Sequence, residues 1–344
     1  MEANDLVSIV VPVNKSNSSL EIAVSSALNQ TFNNIQVIIV DGSLDNKVKK
    51  LVNEKFSANS KIIYLKADSN NIAFLRNEGI KASDGMYLTF LNPDDLLTPD
   101  FIAEFFTHLV HNFDRCDFVI GKITERIDIR SNNKEKYYEY DQFKFKCFES
   151  LKFKELNNVY AKLFFTKYIK EYNIFFDEKS NIGRDLLFNC NYLYHCKDIK
   201  IFNKPIYLIN QEARIENYIY DGDLFDNEKI FIKKLEQFLL NNNISANIAN
   251  YLYIKLGYEE LVQDIAYMKK KWVRLSDKIC YITNKQEIID AMANYKFSSF
   301  LPDLLFASMK FKNQYLIRVG IYILYFYKYK KNSFNRKNFI YQKM

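Results

Sequence analysis

Over the first 125 residues, strand-length runs rich in Val and Ile take turns with segments whose apolar residues recur at helical spacing. Leu6–Val13 is such a run. In Ser19–Gln30, Leu20, Ala23, Val24, Ala27 and Leu28 share one helical face, with Ser18 or Ser19 available as a cap. Ile35–Val40, Lys61–Lys66, Met86–Leu91 and Phe118–Ile123 read as further strands, and Asn46–Lys55, Ile72–Ser83 and Pro99–His111 as helices. Thr98 would cap the last helix, with Pro99 at its first position. Strands separated by helices predict an α/β fold, a mostly parallel sheet flanked by helices on both faces. Ligands in such sheets lie beyond the carboxyl ends of the strands, so the residues that follow each strand carry the functional information.

Three of those strand ends are polar. The first reads Pro12-Val13-Asn14, the second Asp41-Gly42-Ser43, the fourth Asn92-Pro93-Asp94-Asp95. Each alone is ordinary turn chemistry. Together they would bring carboxylates and amides to one rim. Such a rim suits a nucleoside diphosphate. Mg²⁺ or Mn²⁺ takes one or two carboxylates plus substrate phosphate, and Asp94 and Asp95 could supply them. Arg76, in the helix before the fourth strand, could add a cation at the same phosphates. Rival phosphate sites are absent: no two of the 8 glycines stand two residues apart, so no G-x-G-x-x-G exists, and there is no P-loop.

The run VSIVVPVN…SLEIAVSSALNQTFNNIQVIIVDGSLDN…RNEGIKASDGMYLTFLNPDDLLTPDFI resembles the amino-terminal half of family 2 glycosyltransferases over about residues 6–110. Gly183–Phe188 (GRDLLF) resembles the family's G-E-D-L-L-F segment, and Val159–Phe165 (VYAKLFF) its K-L-F segment. The resemblance implies a GT-A fold and inverting transfer. It places Pro12, Val13 and Asp41 around the nucleotide base, with Asn14 and Ser43 beside them, and Arg76 near the diphosphate. It puts Asp94 on a metal, Asn92 where the family has a first Asp, and Asp185 as catalytic base. Such a base removes the acceptor hydroxyl's proton as the oxygen attacks from the face opposite the leaving group. The chain departs from the pattern at Asn92, which makes the metal site less anionic, and at Arg184, where the family has Glu. A cation at Arg184 would hold the base ionised or contact an anionic acceptor; a solvent-facing helix residue is the plainer alternative.

Residues 1–215 are thus expected to form the GT-A domain, with a donor half over 1–125 and an acceptor half over 126–215. Residues 216–344 read as a mainly helical extension with Asn-rich breaks such as Asn241–Asn243. No acidic residue follows Asp303, nine Lys or Arg lie between Lys310 and Lys343, and Arg318–Tyr329 is apolar and aromatic. That end suits an anionic membrane surface, against the alternative of a buried last helix and a disordered basic end. The net charge of +7 comes with no nucleic-acid motif, so nucleic acid is not an expected partner. Absence of a basic leader and of an 18-residue apolar run predicts a cytoplasmic chain, peripheral at the inner face of the cytoplasmic membrane. The 5 cysteines are scattered and read as reduced thiols. The 3 histidines read as packing residues rather than ligands. The expected activity is transfer of a hexose or N-acetylhexosamine from a UDP-sugar to a hydroxyl of a surface glycan, lipooligosaccharide or capsule, which could be lipid-linked, with Mn²⁺ or Mg²⁺ as cofactor. The alternative is a catalytically impaired nucleotide-sugar-binding module acting as an assembly partner.

Overall fold

The computed structural model describes residues 5–16, 18–111, 114–124, 136–139, 156–180, 183–210, 224–267, 272–295 and 313–325. The chain divides into two compact units. The first comprises residues 1–145, 154–179 and 183–214; the second comprises 215–344 with the short pieces 146–153 and 180–182.

The first unit is built on β1 (Val7–Val13), β2 (Ile35–Asp41), β3 (Ile62–Lys66) and β4 (Tyr87–Phe90). These run parallel in the order β3-β2-β1-β4. Every residue of β1 and β2 is buried, as continuous apolar runs demand of strands covered on both faces. One face of β1, Val7, Ile9, Val11 and Val13, packs with Leu20, Ala23, Val24 and Ala27 of α1 (Leu20–Leu28) and with Phe101 and Phe105 of α4 (Phe101–His108). The other face meets α3 (Ile72–Lys81). A Cβ on Gly79 of α3 would lie 2.3 Å from Val10 Cγ1, so only glycine lets this helix settle on β1. The polar helix α2 (Lys47–Lys55) buries Val48 and Val52.

Beyond β4 the sheet departs from the mostly parallel expectation and is mixed. After β5 (Leu96–Leu97) come a small hairpin, β6 (Val110–His111) with β7 (Asp114–Arg115), then β8 (Phe118–Thr124), β9 (Lys136–Glu139), β10 (Lys162–Phe165) and β11 (Asp198–Leu208). The full order is β3-β2-β1-β4-β10-β8-β11-β5, with β9 against the outer part of β11. β10 is antiparallel to both β4 and β8, whereas β8 and β11 are parallel. β10 is followed at once by α5 (Thr166–Glu171) and then α6 (Arg184–Leu193). Phe90, Phe164, Phe176 and Phe188 seal the layer beneath it, with ring centroids 4.1–5.9 Å apart. The start expected for α4 also shifts. Thr98 donates to Asp100 Oδ1 at 2.7 Å and the helix opens at Phe101, so Pro99 precedes it.

The second unit is helical: α7 (Leu224–Asn241), α8 (Asn247–Tyr267), α9 (Trp272–Thr283), α10 (Gln286–Asn294) and α11 (Gln314–Tyr325). Its core includes Leu235, Leu239, Ile254, Leu261, Ile282, Ile288, Ile317 and Ile321. The Asn-rich break is a helix stop. Asn243 adopts φ 54, and the Ile244 amide turns back to the Leu239 carbonyl at 2.8 Å. Among the described residues no helix is long and apolar enough to cross a membrane.

Candidate active site

Parallel register sets the rim. Val13 stands beside Asp41, Val10 beside Phe90, and the Gly42 amide donates to the Val13 carbonyl at 2.8 Å. Pro12 and Val13 are buried, and Asn14 is exposed just past the strand. Asp41 is 0% exposed. Its Oδ1 accepts from the Ser43 amide at 2.8 Å and the Ser43 hydroxyl at 2.5 Å; its Oδ2 accepts from the Tyr64 hydroxyl at 2.7 Å and Lys66 Nζ at 3.2 Å. Burial and this carboxylate hold the Tyr64 hydroxyl well above the usual phenol pKa. Asp41 and Ser43 therefore shape the turn from beneath, and Ser16 ties it to the first turn through Asp45 Oδ2 at 3.0 Å.

The turn after β4 has a strict alternation: Leu91, Pro93, Asp95 and Leu97 are buried, Asn92, Asp94 and Leu96 half-buried. Asp95, 0% exposed, accepts from the Tyr207 hydroxyl at 2.9 Å, the Asn210 amide at 3.0 Å and Asn92 Nδ2 at 3.2 Å. Both oxygens of the Asp95 carboxylate, expected beside Asp94 on one ion, thus accept hydrogen bonds from the protein. Tyr207 also accepts from the Asn92 amide at 3.0 Å, so one buried hydroxyl fixes both ends of the turn. Asp94 is half-buried in the same turn. One carboxylate with substrate phosphate and water fits the oxygen-rich coordination of Mg²⁺ or Mn²⁺. Among the described residues no group of three or more His, Cys, Asp or Glu side chains is gathered as a metal cluster.

The third part of the site joins residues 109 positions apart: Arg76 Nη1 donates to Asp185 Oδ1 at 2.6 Å. Arg76 Nη2 donates to the Tyr160 hydroxyl at 2.8 Å, and the guanidinium lies over the Tyr160 and Phe176 rings. Burial opposes its charge, but Asp185 and Tyr160 outweigh that and raise its pKa above the ordinary arginine value. Arg76 Nε is buried without a hydrogen-bond partner among the described residues. Asp185 is the second residue of α6, which follows Gly183 in the left-handed conformation at φ 71, and its side chain is 19% exposed. Its Oδ2 accepts from the Val159 amide at 3.2 Å, and the amino end of α6 favours its negative charge. The cation expected beside Asp185 from Arg184 is supplied by Arg76. Arg184 Nη1 donates at 3.1 Å to Asn71 Oδ1, whose side chain also caps α3 by accepting from the Ala73 amide.

Tyr160 stacks on Tyr207, ring centroids 5.2 Å apart, so the Arg76–Asp185 pair and the Asn92–Asp95 turn share an aromatic bridge. Sequence reasoning did not single out Tyr160, Tyr207, Tyr64 or Lys66. Tyr160 sat inside the VYAKLFF segment, whereas the others had no local signal. Asn77 donates to the Phe176 carbonyl at 3.0 Å and accepts its amide at 2.8 Å, which explains the Asn after Arg76. His108 stacks on Phe202 and His195 on Tyr172, as packing residues do; the His111 side chain lies outside the described set.

The family described as Glycosyl transferase family 2 matches residues 8–172. The poly(ribitol-phosphate) β-N-acetylglucosaminyltransferase TarP of Staphylococcus aureus is 29% identical over 217 residues, covering 62% of this chain and 65% of TarP. An uncharacterized glycosyltransferase of Rickettsia conorii is 35% identical over 129 residues, which is 37% of this chain but 21% of that protein. The chain thus spans about a fifth of the length of this rickettsial relative and of a similar one from Rickettsia felis. Among solved structures, S. aureus TarS 1–349 in complex with UDP-GlcNAc superposes with a TM-score of 0.61 at 15% identity, covering 93% of this chain and 91% of that one. This last likeness concerns the fold.

Proposed function

Because residues 8–172 match glycosyl transferase family 2, we propose that the chain transfers a hexose or N-acetylhexosamine, with inversion, from a UDP-sugar to a hydroxyl of a surface glycan. The observation that carries this reading is the Arg76–Asp185 pair: a half-buried carboxylate and a buried guanidinium meet beside the polar strand ends. The base rests on Pro12 and Val13 over the turn that Asp41 and Ser43 build, with Asn14 at its edge. Arg76 has a spare, buried Nε–H, so a diphosphate offers it a further anionic acceptor. Asp94, with Asn92 beside it, would hold Mn²⁺ or Mg²⁺ against the diphosphate, where the ion neutralises charge on the leaving group. Asp185 takes the acceptor hydroxyl's proton, and the site's walls align the attacking oxygen with the anomeric carbon. Arg184 stands one residue from the base and suits an anionic acceptor. The names of TarP and of the TarS complex support UDP-GlcNAc as the first donor to try, and TarP's name supports a polyol-phosphate polymer as the first acceptor beside the lipooligosaccharide or capsule expected from the sequence.

An anionic membrane surface is the proposed site of work. Tyr315, Leu316, Val319 and Tyr322 form an exposed apolar face on α11, opposite buried Ile317 and Ile321, in a part of the sequence rich in Lys and Arg. A second reading, a nucleotide-sugar-binding module without turnover, draws on Asn92 and Arg184. A UDP-sugar panel with Mn²⁺, run on wild type, Asp94→Ala and Asp185→Asn, separates the two. Turnover lost in both variants supports the transferase. UDP binding without turnover of any donor overturns it in favour of the module, and full activity in EDTA removes the metal.

A further inference from the structure

Behind the site lies a turn whose construction is unusual. Ala161 is fully buried yet adopts φ 51, in the left-handed region that a side chain disfavours. Lys162 is 1% exposed. Its Nζ reaches back to Asn158 Oδ1 at 3.3 Å and the Tyr160 carbonyl at 3.2 Å. Asn189 Nδ2 clamps the Leu156 and Asn158 carbonyls at 2.6 and 2.7 Å, and the Gly121 amide holds the Ala161 carbonyl at 2.8 Å. A buried ammonium and a strained backbone both cost stability, and such features persist where the surroundings over-determine them, most often at functional sites.

What the turn presents is specific. Its Val159 amide meets Asp185 Oδ2 and its Tyr160 hydroxyl meets Arg76 Nη2. Two consecutive residues thus hold the two members of the ion pair. We propose that the 156–162 turn is the device that orients Asp185 and Arg76 toward one another, and that Lys162 is its positioning residue. Lys162 touches neither donor nor acceptor in this scheme; it acts through the backbone of Asn158–Tyr160. The inference rests on Asp185 being the base of the proposed transfer.

The test uses the full chain with Lys162→Met, which keeps the length and removes the charge, and Asn158→Ala, which removes the acceptor of the Tyr160 amide and of Lys162 Nζ. Hydrogen exchange is followed on the peptide covering Val159 and Tyr160, UDP affinity by calorimetry, and transfer with the best donor. Faster exchange there by about tenfold or more, with β1 unchanged, is the expected result. Turnover should fall by about tenfold while UDP affinity stays within about threefold, because the clamp acts on the base rather than on the donor's nucleoside end. Should Lys162→Met fail to fold, Asn158→Ala carries the same readings. Unchanged exchange, or UDP affinity falling in parallel with turnover, overturns the proposal. Faster exchange in a wild-type background that transfers no sugar supports the clamp and sinks the transferase reading instead.

Discussion

Replacing Tyr207 by Phe removes a single oxygen from the molecule's interior and should unsettle the turn that carries Asp94. The Tyr207 hydroxyl accepts from the Asn92 amide at 3.0 Å and donates to Asp95 Oδ2 at 2.9 Å. Losing the first bond costs about 1 kcal/mol and losing a bond to a charged acceptor about 2 kcal/mol, so the first unit should lose about 3 kcal/mol. The ring stays, and with it the stack on Tyr160, so lost packing does not explain the effect. Asp95 keeps Asn210 and Asn92 Nδ2 as donors, which limits the damage to the turn itself. If about half of that energy reaches the geometry at Asp94, Mn²⁺-dependent UDP binding weakens by about tenfold, the equivalent of about 1.4 kcal/mol. With two compact units a single unfolding curve is not one free energy. The chain's one tryptophan, Trp272, lies in α9 of the second unit, so its fluorescence serves as the internal control. Urea unfolding followed by circular dichroism, with hydrogen exchange at β4, reads the first unit. In an Asp95→Asn background the charged bond no longer exists, and Tyr207→Phe should cost about 1 kcal/mol less. A loss below about 0.5 kcal/mol, or the same loss in both backgrounds, would refute the reasoning.

Asp185→Asn keeps the shape of the base and removes its proton affinity; transfer should fall by about 100-fold or more with UDP affinity retained, as steady-state kinetics beside calorimetry would reveal. Gly79→Ala drives a methyl group into Val10 at 2.3 Å and should lower first-unit stability by about 1–3 kcal/mol, measured by urea unfolding, whereas Ala at exposed Lys81 should be neutral. In the second unit, burial works against the Asp226 charge, but hydrogen bonds from Lys285, Lys229 and Tyr281 outweigh it and bring its pKa down to about 2. Because the folded value lies below the unfolded one, its contribution is present above about pH 4 and is lost as pH falls toward 2. Trp272 fluorescence in acid titrations should show that loss in wild type and its absence in Asp226→Asn.

How much of this was legible beforehand follows from the range over which each signal acts. The parallel half was readable because strands buried on both faces are apolar almost throughout, and Val7–Val13 and Ile35–Val40 break that only at Ser8 and Gln36, which bond each other at 2.7 Å. The mixed half was not. β10 has four residues, and β11 is interrupted by Asn203, Lys204 and Pro205 with register shifts, so neither shows a clean period. The partner of Asp185 was equally hidden. Sequence proximity pointed to Arg184, whereas the fold brings Arg76 across 109 positions, and contact at that separation leaves no mark on a local pattern.

Asp94 and Asp95 make the limit concrete. As adjacent letters they are two equal carboxylates, and reading both as ligands is the natural expectation. The chain turns at Pro93-Asp94, where the Asp95 amide donates to the Asn92 carbonyl at 3.0 Å, and the position of Tyr207 on β11 decides which carboxylate is drawn inward. Asp95 is the buried one, held by a tyrosine hydroxyl and two nitrogen donors, one of them Asn92 Nδ2, whereas Asp94 is half-buried. The substitution at position 92 then has a different meaning from the one its sequence context suggests. It supplies the Nδ2–H that a carboxylate there could not offer to Asp95. An aspartate at position 92 would stand about 3 Å from a buried charge, in the manner of two carboxylates that cannot both ionise. In this chain the amide ties the turn to Asp95, and Asp94 stands half-buried beside it.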